Sequence, residues 1–456
     1  MSSRDGDIVR RIWARDASLW TSSGEEQWLG WLDEPERMRP QADELVRFAE
    51  EATESFEDCV LLGMGGSSLA PEVLRRLFDA TTFHVLDTTH PKAIRALEAS
   101  LDLERTLFVV SSKSGRTLET LSHMEYFWAK APRPEAFVAV TDPGSPLEAR
   151  ARERGFRAIF AGNPEIGGRY SALSPFGLVP AALQGVDVRR LLDAARETAE
   201  ACRSTHDDNP GLELGLALGH NWAHARDKVC INPTPGGSGL WAEQLLAEST
   251  GKEGKGLVPC PEENPNGGRD RQPALVLVED PYDVGSEFYR FEFATAVAGH
   301  VLEIDPFHQP NVQEAKDRTR AILDTGEDLR LEPEHSPDVL FAQARPGDYV
   351  CLQAFVEPSE EADEVLFDLA QRAREETGCV VTHGYGPRYL HSTGQLHKGG
   401  PPTGLFLQIV DDTGEELPIP GQPFGFGRLI RAQAAGDYAS LKERGRRVAR
   451  VRLEDL

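Results

Sequence analysis

The chain has 456 residues, more than one average hydrophobic core accommodates, and that length suggests two or three domains. Its formal net charge of −25 argues against nucleic acid or an anionic membrane as partner, because both are bound through an excess of Lys and Arg. The six cysteines are scattered without a C-x-x-C pair, the charged N-terminus lacks the apolar core of a signal peptide, and no uncharged run approaches the ~18 residues of a membrane span, so a soluble cytoplasmic protein with reduced thiols is expected.

Residues 7–54 read as amphipathic helices broken at Pro35 and Pro40, with Trp13, Trp20, Trp28 and Trp31 as apolar anchors. From Cys59 the pattern alternates. Strands are expected at 59–62, 83–86, 107–110, 137–140 and 157–160, separated by helices such as 70–78, 91–101 and 118–130. That alternation predicts a parallel sheet with helices on both faces. After a helix at 191–203, a less regular set has strands at 229–231, 274–278, 349–355, 379–382 and 405–410. The Pro/Gly-rich stretches 259–268 and 398–404 read as long loops, and the tail 438–456 as helical and then mixed. The organisation expected is an N-terminal helical segment (1–54), two α/β domains (55–187 and 188–425) and a C-terminal tail (426–456). No short-period repeat is visible, and two α/β units of one kind would be a diverged duplication.

Five constellations carry chemistry. The apolar run 106–110 empties into Ser111-Ser112-Lys113-Ser114-Gly115-Arg116-Thr117 and then into a helix, placing backbone N–H groups and hydroxyls where a phosphate dianion could be held. Gly63-Met64-Gly65-Gly66-Ser67-Ser68 follows the first strand, where glycines allow close backbone approach to a ligand. Ser68 replaces the third glycine of a dinucleotide fingerprint, and the hydroxyl-rich loop suits a sugar phosphate better than a nicotinamide. Gly167-Gly168-Arg169-Tyr170-Ser171 offers a permanently charged guanidinium able to stabilise an oxyanion. On the helix ending at Gly251, Gln244 and Glu248 share a face; burial there would lift the Glu248 pKa towards that of a general base. Gln309 and Lys316, seven apart behind a proline-primed helix start, could reach one ligand.

In this order the blocks resemble the glucose-6-phosphate isomerases, members of the sugar-isomerase fold family built from two α/β phosphosugar domains. The likeness runs from about Cys59 to Lys316. The region beyond, with Tyr389-Leu390-His391-Ser392-Thr393-Gly394-Gln395-Leu396-His397-Lys398, is more similar to the isomerase half of bifunctional transaldolase/isomerase proteins, although no transaldolase barrel fits this chain. The resemblance implies that Glu248 shuttles a proton between C2 and C1 of the open-chain sugar, that Arg169 steadies the cis-enediolate and that Lys316 assists ring opening. It assigns Gly65, Gly66, Ser67, Ser112, Lys113, Ser114, Thr117, Gly168, Gln244 and Gln309 to substrate binding.

The sequence departs from the family at Pro310-Asn311-Val312-Gln313, where Trp-Gly-Val-Glu is usual, and at Thr250, where asparagine is usual. The family's histidine element is absent between Glu248 and Lys316. His391 and His397 are the substitutes by composition, with His300 and His308 as rivals by chain order. The resemblance further implies glucose 6-phosphate/fructose 6-phosphate isomerisation without cofactor or metal, a homodimer with shared sites, and a separate transaldolase as a candidate partner. Isomerisation of mannose 6-phosphate or an amino-sugar phosphate, and a non-catalytic phosphosugar-binding module, are the alternatives.

Overall fold

Val60, Leu61 and Leu62 in one strand and Phe108, Val109 and Val110 in another are fully buried, because both faces of their sheet are covered and a short continuous apolar run is what such a strand requires. The computed structural model describes residues 5–206, 208–325 and 329–456, and for residues 311–316 the backbone alone. The chain divides into two units. The first comprises Met1–Leu86, Asp102–Thr250 and Leu257–His308, and the second Asp87–Leu101, Gly251–Gly256 and Gln309–Leu456.

The first unit holds a five-stranded parallel sheet of β1 (Asp58–Gly63), β2 (Phe83–Leu86), β3 (Thr106–Ser111), β4 (Phe137–Thr141) and β5 (Ala158–Ala161), in the order β2-β1-β3-β4-β5. The chain reverses its direction of progress across the sheet between β1 and β3. In open α/β sheets, ligands bind in the crevice at the carboxyl ends of such a pair. Gly63 pairs in register with Ser111, so the loops leaving β1 and β3 begin side by side. The same unit holds β6 (Lys228–Ile231), β7 (Val258–Pro261) and β8 (Arg271–Ala274) as a parallel sheet in the order β7-β6-β8. Trp31 stacks on Tyr170, Trp20 meets Phe307 edge-on and Trp13 lies beside Phe293, whereas Trp28 is exposed.

The second unit is built on β9 (Tyr349–Phe355), β10 (Val380–Tyr385), β11 (Gly404–Val410) and β12 (Arg447–Arg452), parallel and ordered β10-β9-β11-β12. Val350, Leu352, Leu405, Leu407 and Ile409 form its core with Leu366 and Ala370 of helix Glu360–Thr377. The whole is an α/β fold of parallel sheets flanked by helices.

The strands of the expected second set are divided between the three-stranded and four-stranded sheets. The expected 259–268 loop begins with the last three residues of β7, which carries Pro259 and Pro261; as an edge strand it tolerates residues without an N–H. The strand expected at 274–278 lies earlier, at Arg271–Ala274, and Leu275 and Leu277 beyond it are exposed. The tail contains a helix, Phe426–Glu443, followed by the edge strand β12.

A duplication also becomes visible. Residues 65–74 and 236–245 share Gly-Gly-Ser, then Leu, Glu and Leu at the same offsets, six identities in ten positions. Both segments follow a strand through a 3-10 turn into a helix, Leu69–Leu77 after β1 and Gly239–Thr250 after β6. The helix of the first copy packs against the turn of the second, and the helix of the second against the turn of the first.

Candidate active site

The β1 loop is shaped by a backbone approach. Gly65 has φ +56°, and a Cβ on Gly66 would lie 2.1 Å from the Gly168 carbonyl oxygen, so only glycine permits this packing. Ser171 Oγ donates to that same carbonyl at 2.5 Å. Ser67 is buried at the end of the Gly65–Ser67 turn. The loops carrying Gly65, Gly66, Ser67, Gly168 and Arg169 thus form one packed body.

The β3 loop begins with Ser112, whose N–H donates to Val140 O at 3.0 Å and whose Oγ is 2.9 Å from Thr117 Oγ1. Thr117 is the cap residue of helix Leu118–Lys130, and its side chain makes no capping bond to that helix. Ser112 and Thr117 therefore present paired hydroxyls beside a helix N-terminus, where the dipole favours an anion. Gly115 (φ +63°) turns the loop against Ser145 and Leu147, while Ser114 and Arg116 are exposed.

Lys113 does something other than expected. Its Nζ donates to both carboxylate oxygens of Asp142, at 2.8 and 2.7 Å, and to Asn163 O at 2.7 Å, which uses its three protons. Desolvation lowers the Lys113 pKa and raises that of Asp142, outweighing their mutual attraction in both. In this geometry Lys113 is a strut joining the ends of β3 and β4, and its charge is matched by a carboxylate.

Glu248 lies on helix Gly239–Thr250, whose residues are all buried except Leu240; this explains the lack of any polar stripe in its sequence. Gln244 Nε2 donates to Glu248 Oε2 at 3.0 Å, as expected for residues four apart on one face. The other oxygen, Oε1, stands 3.7 Å from Arg169 Nη1. Arg169 is itself buried: Nε donates to Ser249 Oγ at 2.7 Å, Nη2 donates to Pro306 O at 2.7 Å, and the guanidinium lies 5.6 Å from the Tyr170 ring centre. Within the first unit Gly65, Gly66 and Ser67 pack against the turn carrying Gly168 and Arg169, Arg169 stands beside Glu248, which Gln244 holds, and Ser112 and Thr117 lie on the loop leaving the neighbouring strand. A carboxylate, an amide donor and a cation converge in a site largely closed to water.

The remaining expected residues belong to the second unit. Gln309 precedes helix Pro310–Asp324, and Lys316 lies on that helix with its side chain outside the described residues. His391 ends the turn Arg388–His391 and is partly buried. His397 is a core residue: its ring nitrogens lie 3.6 Å from Cys351 Sγ and 3.3 Å from Gln353 Nε2, and its ring packs between Tyr389 and Phe406. Burial, then the charges of Lys398 and Arg446, holds its pKa well below the ordinary histidine value. Expected as a catalytic histidine, His397 is instead enclosed in the core of the second unit, with its side chain turned away from solvent. Of the rivals, His300 is bonded to Leu19 O at 2.6 Å and His308 is exposed.

Two residues escaped the sequence reading. Asp142 directly follows β4, an acid at a strand's carboxyl end that an Asp-Pro-Gly turn signature disguised. Ser249 is adjacent to Glu248 but a helical step of ~100° places it off the Gln244–Glu248 face.

The first unit thus carries paired hydroxyls at the sheet's switch point and a buried carboxylate–guanidinium pair, features that suit a phosphorylated ligand. Comparison with known proteins agrees. The family model for phosphoglucose isomerase matches residues 36–225. The glucose-6-phosphate isomerase of Carboxydothermus hydrogenoformans is 30% identical over 398 residues, covering 65% of this chain and 85% of its own. That of Thermus thermophilus is 38% identical over 262 residues, covering 55% of this chain, which spans 61% of that relative's length. Among solved structures, a hypothetical protein from Thermus thermophilus covers 98% of this chain and 82% of its own at 25% identity and a TM-score of 0.50. A glucose-6-phosphate isomerase from Chlamydia trachomatis covers 71% and 84% at 18% identity and a TM-score of 0.59, a likeness of fold. The chain belongs to the phosphoglucose isomerase family. Among the described residues, no helix is long and apolar enough to cross a membrane.

Proposed function

We propose that the protein interconverts glucose 6-phosphate and fructose 6-phosphate through ring opening and a cis-enediolate. The observation that carries this reading is Glu248 Oε1 at 3.7 Å from Arg169 Nη1 while Gln244 holds Oε2, in the same unit as the hydroxyl-lined helix start. The hard step is removal of a weakly acidic proton beside a carbonyl. Glu248 takes the C2 proton and returns it to C1, a positioned base being worth roughly 10²–10⁴-fold. Arg169 supplies a preorganised cation for the enediolate oxygen. Ser67, Ser112, Thr117 and the N–H groups opening helix Leu118–Lys130 hold the phosphate, and binding energy far from C1 and C2 serves to align them. Gln309 and Lys316 take the substrate-binding and ring-opening roles that the family likeness gives them, and His391, the substitute by composition, assists ring opening, in a homodimer with shared sites; co-purification would test a separate transaldolase as partner.

Glu248→Gln tests the reading. The variant should lose exchange of the C2 proton with solvent deuterium while keeping phosphate binding. Retained exchange would exclude Glu248 as the base, and binding without turnover in the unaltered protein would favour a phosphosugar-binding module. Coupled assays with glucose 6-phosphate, fructose 6-phosphate and mannose 6-phosphate decide between the aldose substrates.

A further inference from the structure

Glu248 and Arg169 are close enough to collapse onto one another, and they do not. An unrestrained guanidinium beside a buried carboxylate closes into a bidentate pair at about 2.7–2.9 Å. Here the gap is 3.7 Å, longer than a hydrogen bond. Contacts with groups other than Glu248 hold the guanidinium back. Pro306 O accepts from Nη2 and the Tyr170 ring lies alongside, but the contact on Nε comes from Ser249, the residue next to Glu248 on the same helix. Ser249 is fully buried; its Oγ accepts from Arg169 Nε at 2.7 Å and donates to the Tyr170 hydroxyl at 3.4 Å. One helix thus carries both the carboxylate and the hydroxyl that sets how near the cation may come. Any movement of the helix carries both, so the spacing is kept.

We propose that Ser249 is a positioning residue for the isomerisation, holding the Arg169 fork apart from Glu248 so that the carboxylate stays available to the C1–C2 protons and the cation to the oxygen between them. This rests on the reading of Glu248 as the base. Without the Oγ, Arg169 turns towards Glu248, and base and cation neutralise one another instead of meeting substrate. The defect therefore falls on the chemical step, because the phosphate is held by other residues.

The test is steady-state kinetics with fructose 6-phosphate in a double-mutant cycle. Ser249→Ala should lower kcat about 10- to 100-fold, the scale of a misplacement near 1 Å. KM should stay within about threefold, since ground-state binding is untouched. In an Arg169→Met background the same Ser249→Ala change should alter kcat by less than about twofold, because its effect runs through the absent guanidinium. Ser249→Cys, close in volume but a weak acceptor, should give an intermediate kcat and serves if the alanine variant does not fold. An unchanged kcat in the folded single variants, or a loss of equal size with and without Arg169, would overturn the proposal. If Glu248→Gln keeps proton exchange, the base assignment fails; if Glu248→Gln loses exchange while Ser249→Ala is indifferent, the positioning role alone fails.

Discussion

Lys113 shows how a residue with the right chemistry can be placed to do something else. With its ammonium held by Asp142 and Asn163, it contributes to the join between β3 and β4 more than to anion binding. Lys113→Met should leave the Asp142 carboxylate uncompensated and lower unfolding free energy by about 1–3 kcal/mol, the pair being mostly but not wholly buried. Denaturant unfolding would measure this, and adding Asp142→Asn should recover part of it. KM for the sugar phosphate should rise no more than severalfold; a hundredfold rise with unchanged stability would return Lys113 to the phosphate site. The Gln244–Glu248 contact was legible in the sequence because its signal is local, a four-residue spacing on one helix face. Lys113 was not, because its partner lies 29 positions on.

At the scale of elements, the site exists because β1 and β3 meet where the sheet changes direction, and because the loop after β1 fits against the Gly168–Tyr170 turn with no room for a side chain. Gly66→Ala should drive that turn, and Arg169 with it, out of place, with kcat falling at least about tenfold. The second copy of the motif gives the control. Gly237 corresponds to Gly66, and its added methyl would meet only the flexible end of Arg76 at 3.0 Å, although its φ of +71° disfavours alanine. Gly237→Ala should therefore cost about 1–2 kcal/mol of stability while largely sparing kcat, as unfolding and turnover assays on the two variants would show. The copies also explain why the unit holds one such centre. In the helix after β1, Val73 and Leu77 occupy the offsets of Gln244 and Glu248, and both lie against Gly236. Helix Leu118–Lys130 was read to the residue from its pattern, whereas β7 was hidden by prolines and β8 by the more apolar residues after it. Pairing with β6 placed both strands, and pairing is not written in either segment alone.

Across the whole molecule, two buried titratable groups set opposite limits on stability, one in each unit. His397 of the second unit has a pKa well below the ordinary value, so the unfolded chain binds a proton there that the folded chain refuses. Its contribution is complete above the unfolded histidine pKa of about 6.5 and is lost as pH falls below it, at up to about 1.4 kcal/mol per pH unit. Glu292 of the first unit is the reverse. Burial, reinforced by Glu34, raises its pKa well above the usual carboxylate range, and its Oε1 has no hydrogen-bond partner among the described residues. A raised carboxyl contributes fully below the unfolded value near 4.3, and that contribution is lost as pH climbs towards the folded pKa. Glu292→Gln should therefore stabilise the protein at pH 8, with the advantage shrinking as pH approaches 5. His397→Gln should blunt the loss of stability between pH 7 and 5. The probes separate by unit, because all seven tryptophans, Trp13, Trp20, Trp28, Trp31, Trp128, Trp222 and Trp241, lie in the first. Tryptophan fluorescence melts should respond to Glu292→Gln at alkaline pH. Hydrogen exchange in β9–β12 should respond to His397→Gln at acid pH. If the fluorescence transition instead tracks His397→Gln as closely as exchange does, the units unfold together and the two limits act on one cooperative structure.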